Sequence, residues 1–465
     1  MNVLAAPVDW AERTLASRDG YRITYVVLAL AALVFGVAVT AGHSLALSPF
    51  DEWMYLDYLV KLPTQGYLHV GEPVGDFSMN WLACHGQQAF GPTSAADACG
   101  HAPFDRGEFP YGGIQSAQLY TPLYFAPTWL FAAGLQSVSG LDILTAARFS
   151  GTLWLIGTVI ALAAVLRLYR TPATAAIAVG LLFIASPFSW WTYTFVSTDV
   201  SGVLVGALAV LLIERVARGR ANAWWFIPLF TVALLFKSVN AIAIGIVLIY
   251  AVLRFVGDTG TRDSWREQSV WRAAARGRGP VSMVTGPLVG TTAALGAQLV
   301  WLRFVAASAV GPPVDLGEGR PMFWYDVVKQ LWTFVTGIFS TGMFELGGVD
   351  RLLLGAVIYG PALGWLCVAG LVGSVWLDRL RGARRVAAWT ALLASVLAGP
   401  ALAIMYTASI GEYTDLGARY GANLIPLLLL CVALTASRRP QRRVLLGAGI
   451  ALYALVLAAT LLTVR

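Results

Sequence analysis

Four widely spaced groups of residues have the types that proton abstraction and phosphate charge compensation need. Asp51 and Glu52 are adjacent carboxylates in Pro49-Phe50-Asp51-Glu52-Trp53, directly after the first membrane-length apolar segment. A carboxylate within reach of an acceptor hydroxyl can act as a general base. Ionised groups at membrane depth cost about 2.5–3.5 kcal/mol each on insertion scales, so the pair should face a wet or protein-lined cavity. The plainer reading makes them charges at the N-terminus of the following helix. Asp199, in Ser197-Thr198-Asp199, is a further candidate acid, although an aspartate opening a helix is also a common N-cap. Lys237 is the sole charge in the apolar run 223–253, placed either to meet a phosphate or to snorkel to the interface. Arg419 and Tyr420, in Gly417-Ala418-Arg419-Tyr420 ahead of Pro426, bring a guanidinium that can fork a phosphate or anchor a helix among headgroups.

The elements that must position them are membrane helices. Hydrophobic residues make up 58% of the 465-residue chain and charged residues 12%, with a mean hydropathy of +0.69. Soluble domains are nearer 45–50% apolar and about 25% charged. The expected fold class is all-α: a polytopic integral membrane protein forming a single transmembrane domain over 1–465. Its transmembrane helices, about eleven, are expected at 23–41, 144–166, 172–191, 200–214, 223–237, 239–253, 283–302, 353–376, 386–408, 421–437 and 444–463. The first lacks a small-residue cleavage site and should remain a helix.

Charge sets the expected orientation. Arginines fall in alternate loops, at 167–170, 215–220, 254–278, 379–385 and 438–443. With Arg13, Arg18 and Arg22 these hold 22 of the 32 Lys+Arg. The positive-inside rule then puts the N-terminus in the cytoplasm and Asp51, Asp199, Lys237 and Arg419 together on the outer face. Residues 119–135 are apolar but would invert every later loop if they crossed, so an interfacial or re-entrant segment is expected there. The net charge of +7 describes orientation and contact with membrane lipids, and gives no reason to invoke nucleic acid.

Two external stretches are expected, a first loop at 42–118 and a second at 303–352. After Asp51, Trp53, Leu56, Leu59, Val60 and Leu62 recur at helical spacing, with Asp57 and Lys61 on the other face. That pattern predicts a short amphipathic interfacial helix. The aromatics in Met322–Trp332 predict another. Cys84 and Cys99, both in the first loop, are expected to form a disulfide on an oxidising face, worth about 3 kcal/mol in the chain-entropy treatment. Cys367 and Cys431 fall in spans and read as packing residues. No Gly-x-x-x-x-Gly-Lys-Ser/Thr loop, dinucleotide fingerprint or paired-cysteine metal spacing occurs. The activated group should therefore arrive in the membrane and react outside. The four histidines lack ligand spacing and read as ordinary polar residues, with a divalent cation left open as a cofactor.

In order and type, these residues resemble the GT-C class of polytopic glycosyltransferases, which use polyprenyl-phosphate sugars. Asp51-Glu52 matches the acidic pair of the first external loop, and Tyr120-Thr121-Pro122-Leu123-Tyr124-Phe125 an aromatic segment beside the membrane. Ala147-Arg148-Phe149-Ser150 matches an Arg opening the second span. Asp199 matches an acid of the second external loop, and Leu234-Leu235-Phe236-Lys237-Ser238 a Lys closing a Leu/Thr-rich helix. Arg419-Tyr420 with Pro426 matches an Arg-Tyr followed by Pro near the end. The matches span roughly 23–437. Phe236 stands where Thr is common, and Pro122 is not doubled.

The resemblance implies inverting transfer of a sugar from a polyprenyl-phosphate donor to a glycan, lipid or protein acceptor of the cell envelope. It implies a bacterial plasma (inner) membrane location. Asp51 would be the base, Glu52 would orient the acceptor or help hold a cation, and Asp199 would be a further acid. Lys237, Arg419, Arg148 and Tyr420 would meet the donor phosphate. A transporter or flippase of a lipid-linked or amphipathic solute is the alternative. Such proteins tend to show repeated halves with broken helices meeting at the midplane, whereas here the charged candidates gather at one face.

Overall fold

A computed structural model describes residues 20–88, 91–93, 95–257, 274, 276–277, 279, 281–314, 319–340, 351–376 and 380–463. Among them the regular structure is helical and no strand forms. Arg13, Arg18, Arg262, Arg266, Arg272, Arg278 and Arg379 lie outside the described residues, as do parts of the expected second loop.

The helices are α1 (Gly20–Gly42), α2 (Glu52–Gln65), α3 (Asp76–His85), α4 (Pro122–Ser139), α5 (Ile143–Leu168), α6 (Ala173–Ile184), α7 (Pro187–Tyr193) and α8 (Val200–Ala217). Then follow α9 (Phe226–Phe236), α10 (Ala241–Gly257), α11 (Ser282–Ala307), α12 (Trp324–Thr336), α13 (Arg351–Trp376), α14 (Ala383–Ile410), α15 (Ile425–Thr435) and α16 (Arg439–Thr463). Nine helices among the described residues are long and apolar enough to cross a membrane. A tenth span is reached if α6 and α7 count as one, bent by 61°. The bend falls at Ser186-Pro187, where proline cannot continue the ladder and the Ser186 hydroxyl accepts from Ser189 N–H, restarting the helix. The expected fifth span, 223–237, is a shorter apolar helix. Pro122–Ser139 is not among the helices that meet the length and hydropathy of a span. This is a multi-pass membrane protein.

The first loop folds back over α2. The helix expected after Asp51 is present, but Glu52 through Leu59 are all buried, so its polar face is covered as well as its apolar one. Asp57 explains why. Its carboxylate accepts from Gly75 N–H at 2.8 Å and from Gln115 Nε2 at 2.9 Å, and pairs with Lys61 at 2.9 Å. Lys61 continues to Glu72 at 2.8 Å and to the Pro73 carbonyl at 2.6 Å. The Cys84–Cys99 disulfide forms, and Cys367 and Cys431 are buried. In α12, Asp326 accepts from Phe323 N–H and from Arg320, while Trp324, Tyr325 and Trp332 stay exposed on the apolar side.

Candidate active site

The two carboxylates of the acidic pair have different surroundings. Glu52 is fully buried and accepts four hydrogen bonds. Ser48 N–H donates to Oε2 at 2.7 Å and Val196 N–H to Oε1 at 2.8 Å. Arg148 supplies the other two, Nε to Oε1 at 2.9 Å and Nη2 to Oε2 at 2.7 Å. The Arg148 guanidinium also donates to the carbonyls of Ser44 and Ala46, at 2.8 and 2.7 Å. This is a bidentate pair whose oxygens and nitrogens are satisfied, the condition for tolerating two buried charges. The resemblance placed Arg148 at a donor phosphate and Glu52 at an acceptor. The geometry gives each to the other, because the α5 N-terminus and the 44–52 turn meet there.

Asp51 faces the opposite way. It precedes α2 at φ 63° and ψ 4°, a left-handed conformation for a non-glycine residue. Its side chain caps no helix N–H, is 36% exposed, and among the described residues takes one hydrogen bond, from Arg419 Nη2 at 3.1 Å. A left-handed non-glycine residue costs about 1–2 kcal/mol, and such strain concentrates at functional sites.

Arg419 links Asp51 to the other two candidates. Its Nε lies 3.4 Å from Asp199 Oδ2, an ion pair without hydrogen-bond geometry, so this buried donor makes no hydrogen bond among the described residues. Asp199 Oδ1 takes Lys237 Nζ at 2.5 Å. Asp199 therefore does not cap α8, although it stands at its start. Aromatic rings wall the cations. Lys237 Nζ is 5.3 Å from the Tyr420 ring centre and 5.8 Å from that of Tyr120. The Arg419 guanidinium is 4.7 Å from Phe50 and 5.4 Å from Tyr420. Asp51, Asp199, Lys237 and Arg419, drawn from four separate parts of the chain, thus form one cluster with two charges of each sign.

Three polar side chains beneath the cluster lock its segments together. Asn423 Nδ2 donates to the Gly202 carbonyl at 2.8 Å and to Asn240 Oδ1 at 3.1 Å. Asn240 Nδ2 donates to Ser201 Oγ at 3.1 Å and to the Ala233 carbonyl at 3.0 Å. Ser201 follows Asp199 by two residues, Asn240 follows Lys237 by three, and Asn423 follows Arg419 by four. Gly206 lets the 3₁₀ turn Ala418–Leu424 approach α8, since a Cβ there would stand 2.3 Å from the Asn423 carbonyl oxygen. Amides within apolar helices signal interhelical hydrogen bonds, so Asn240 and Asn423 could have been singled out from sequence.

Among the described residues no group of three or more His, Cys, Asp or Glu side chains is arranged to hold a metal ion. His43 Nε2 pairs with Thr194 Oγ1 at 2.7 Å, and His69 Nδ1 lies 3.0 Å from the Ser308 carbonyl.

No protein-family model matches the chain, and no curated protein matches it. Among solved structures it is similar to ArnT from Cupriavidus metallidurans bound to undecaprenyl phosphate, at a TM-score of 0.47 and 14% identity, over 94% of this chain. The chain spans 63% of the length of that protein. The apo state of the same ArnT gives a TM-score of 0.33 and 15% identity, over 92% of this chain and 77% of that one. The cluster stands on its own geometry: Asp51, Asp199, Lys237, Arg419 and Tyr420 come together, whereas Glu52 and Arg148 pair behind them.

Proposed function

We propose that the protein transfers a sugar, with inversion, from a polyprenyl-phosphate donor to a hydroxyl of a cell-envelope glycan, lipid or protein. In this reading the cluster opens on the extracytoplasmic face of a bacterial inner membrane. One observation carries it: a partly exposed, strained carboxylate touches Arg419, which Asp199 joins to a second cation, Lys237. Asp51 takes the proton of the acceptor hydroxyl, the acceptor oxygen bonds to the sugar carbon, and the carbon–phosphate oxygen bond breaks. The donor is a singly charged phosphodiester, and the product is a phosphate monoester that carries up to two charges. A negative charge therefore moves from Asp51 to the phosphate. Arg419 already touches Asp51 and keeps a buried Nε–H that makes no hydrogen bond among the described residues, so it can follow that charge. Lys237 and the ring of Tyr420 complete the phosphate side, and Asp199 holds both cations in place. Glu52 and Arg148 act as positioning residues that fix the Asp51 backbone.

The test uses the purified full chain in detergent with a polyprenyl-phosphate sugar and a candidate hydroxyl acceptor. Asp51→Asn should bind the donor as wild type does and lose transfer by about 10²–10⁴-fold. A wild-type protein that moves lipid-linked sugars across vesicles but never transfers one would replace this reading with the transporter.

A further inference from the structure

A second charged site lies at the other end of the helices that build the first. Arg148 is in the first turns of α5 and Asp199 precedes α8, and these helices end at Leu168 and Ala217. At ~1.5 Å per residue, the 18 residues of α8 put roughly 27 Å between the two sites. There the helix ends meet the start of α14 around a cavity of about 370 Å³ lined by Arg170, Arg218, Arg381 and Arg384. That volume lies within the range of small-ligand sites, roughly 300–1,000 Å³.

Two of these arginines form the walls. Arg384 donates to the carbonyls of Tyr169 and Arg170 at 2.8 and 2.9 Å. Arg218 donates to Glu214 at 2.5 Å and to the Leu168 carbonyl at 3.1 Å. Both complement the carbonyl ends of helices. Arg170 and Arg381 differ, because their exposed side chains have no hydrogen bond or ion pair among the described residues. Arg170 is also held at φ 54°, a left-handed conformation. Glu214, the carboxylate that Arg218 engages, is buried and closed by Arg218 and Tyr250. Four guanidinia thus line one cavity, and among the described residues its lining holds no carboxylate. Their planar donor forks match phosphate oxygens, and a basic pocket between membrane helices suits an anionic headgroup.

We propose that this cavity binds a phosphate-bearing anion, either the headgroup of an anionic phospholipid or free phosphate, with Arg170 and Arg381 closing on its oxygens. The full chain in neutral detergent is heated with phosphatidylglycerol, with phosphatidylcholine, or with inorganic phosphate. Phosphatidylglycerol should raise the unfolding midpoint saturably by a few °C where phosphatidylcholine does not. The double variant Arg170→Gln/Arg381→Gln should lose that rise, and the charge-matched Arg220→Gln/Arg438→Gln should keep it. A rise with inorganic phosphate that phosphatidylglycerol does not exceed identifies free phosphate as the source. No saturable rise with either probe overturns the proposal, as does an equal loss in the charge-matched variant or an undiminished rise in Arg170→Gln/Arg381→Gln.

Discussion

Asp51 and Glu52 are adjacent in the chain and opposite in environment. Glu52 points inward, where four donors saturate it and Arg148 cancels its charge. Asp51 points to a partly open cluster, accepts one hydrogen bond among the described residues, and sits on strained backbone. A buried carboxylate is tolerated only when its lone pairs are occupied, and once occupied it cannot also take a proton from a substrate. A reactive carboxylate needs the reverse. Under the proposed function, this contrast makes Glu52 a positioning residue and Asp51 the base.

The largest effect should come from opening the saturated pair. Arg148→Ala leaves the Glu52 charge buried with two backbone donors, a change that typically costs 3–5 kcal/mol or about that. Little monodisperse protein should be recovered by size exclusion, and the thermal midpoint of what remains should drop. Arg148→Lys should rescue poorly, because an ammonium cannot reproduce the fork. The double change Glu52→Leu/Arg148→Leu should be milder than either single change. If Glu52→Ala folded normally and only lost transfer, the two carboxylates would belong to the same site and the contrast would fail.

Asp51→Asn should behave in the opposite manner, with an unfolding midpoint close to wild type alongside the lost transfer. Its pairing with Arg419 is partly exposed, and asparagine Oδ1 can still accept that hydrogen bond, so the loss should be about 1 kcal/mol. Asp51→Gly sharpens the point. Glycine accepts the left-handed backbone, so this variant should be at least as stable as Asp51→Asn while equally inactive. A large fall in stability for both would mean that Asp51 is structural as well.

How much of this was legible in the sequence follows from the same two residues. Residue types and hydropathy located every member of the cluster, the order of the apolar segments and the disulfide. They could not distinguish two neighbouring carboxylates, because the distinction is made by Arg148, ninety-six positions away. Asp57 and Lys61 read as a solvated face by helical spacing. They are covered instead, because Gly75, Gln115 and Glu72 arrive from distant parts of the loop to satisfy them. The bend at Ser186-Pro187 was visible in composition but lay inside a run apolar enough to read as one span. The Ser201–Asn240–Asn423 network went unread: the two amides stand out within apolar segments, but residue type alone does not say which helices they bridge.

That network supplies an intermediate test. Asn423→Ala removes the hydrogen bonds to Gly202 and Asn240, and interhelical bonds of this kind are worth about 0.6–2 kcal/mol. The midpoint should fall modestly. Transfer should fall less than in Asp51→Asn, with the donor KM raised because Arg419 and Lys237 lose their common support. An unchanged KM with reduced kcat would instead connect the network to the acceptor side.

The smallest effect should come from Glu72, an acid with properties between those of the first two. Burial alone would raise its carboxyl, but the His69 N–H and the Lys61 ammonium outweigh burial and hold it below the ordinary carboxylate value. A carboxyl depressed in the folded state stabilises above its unfolded value, near pH ~4.3, and loses that contribution as pH falls through the folded one. Between pH 7 and 5 the first loop should keep its resistance to proteolysis, and below about pH 4 it should become cleavable. Glu72→Gln should flatten that acid dependence and slightly weaken the loop at pH 7, while leaving sugar transfer in place. If Glu72→Gln abolished transfer without loosening the loop, chemistry would extend beyond the Asp51 cluster into the network that holds the scaffold of α2.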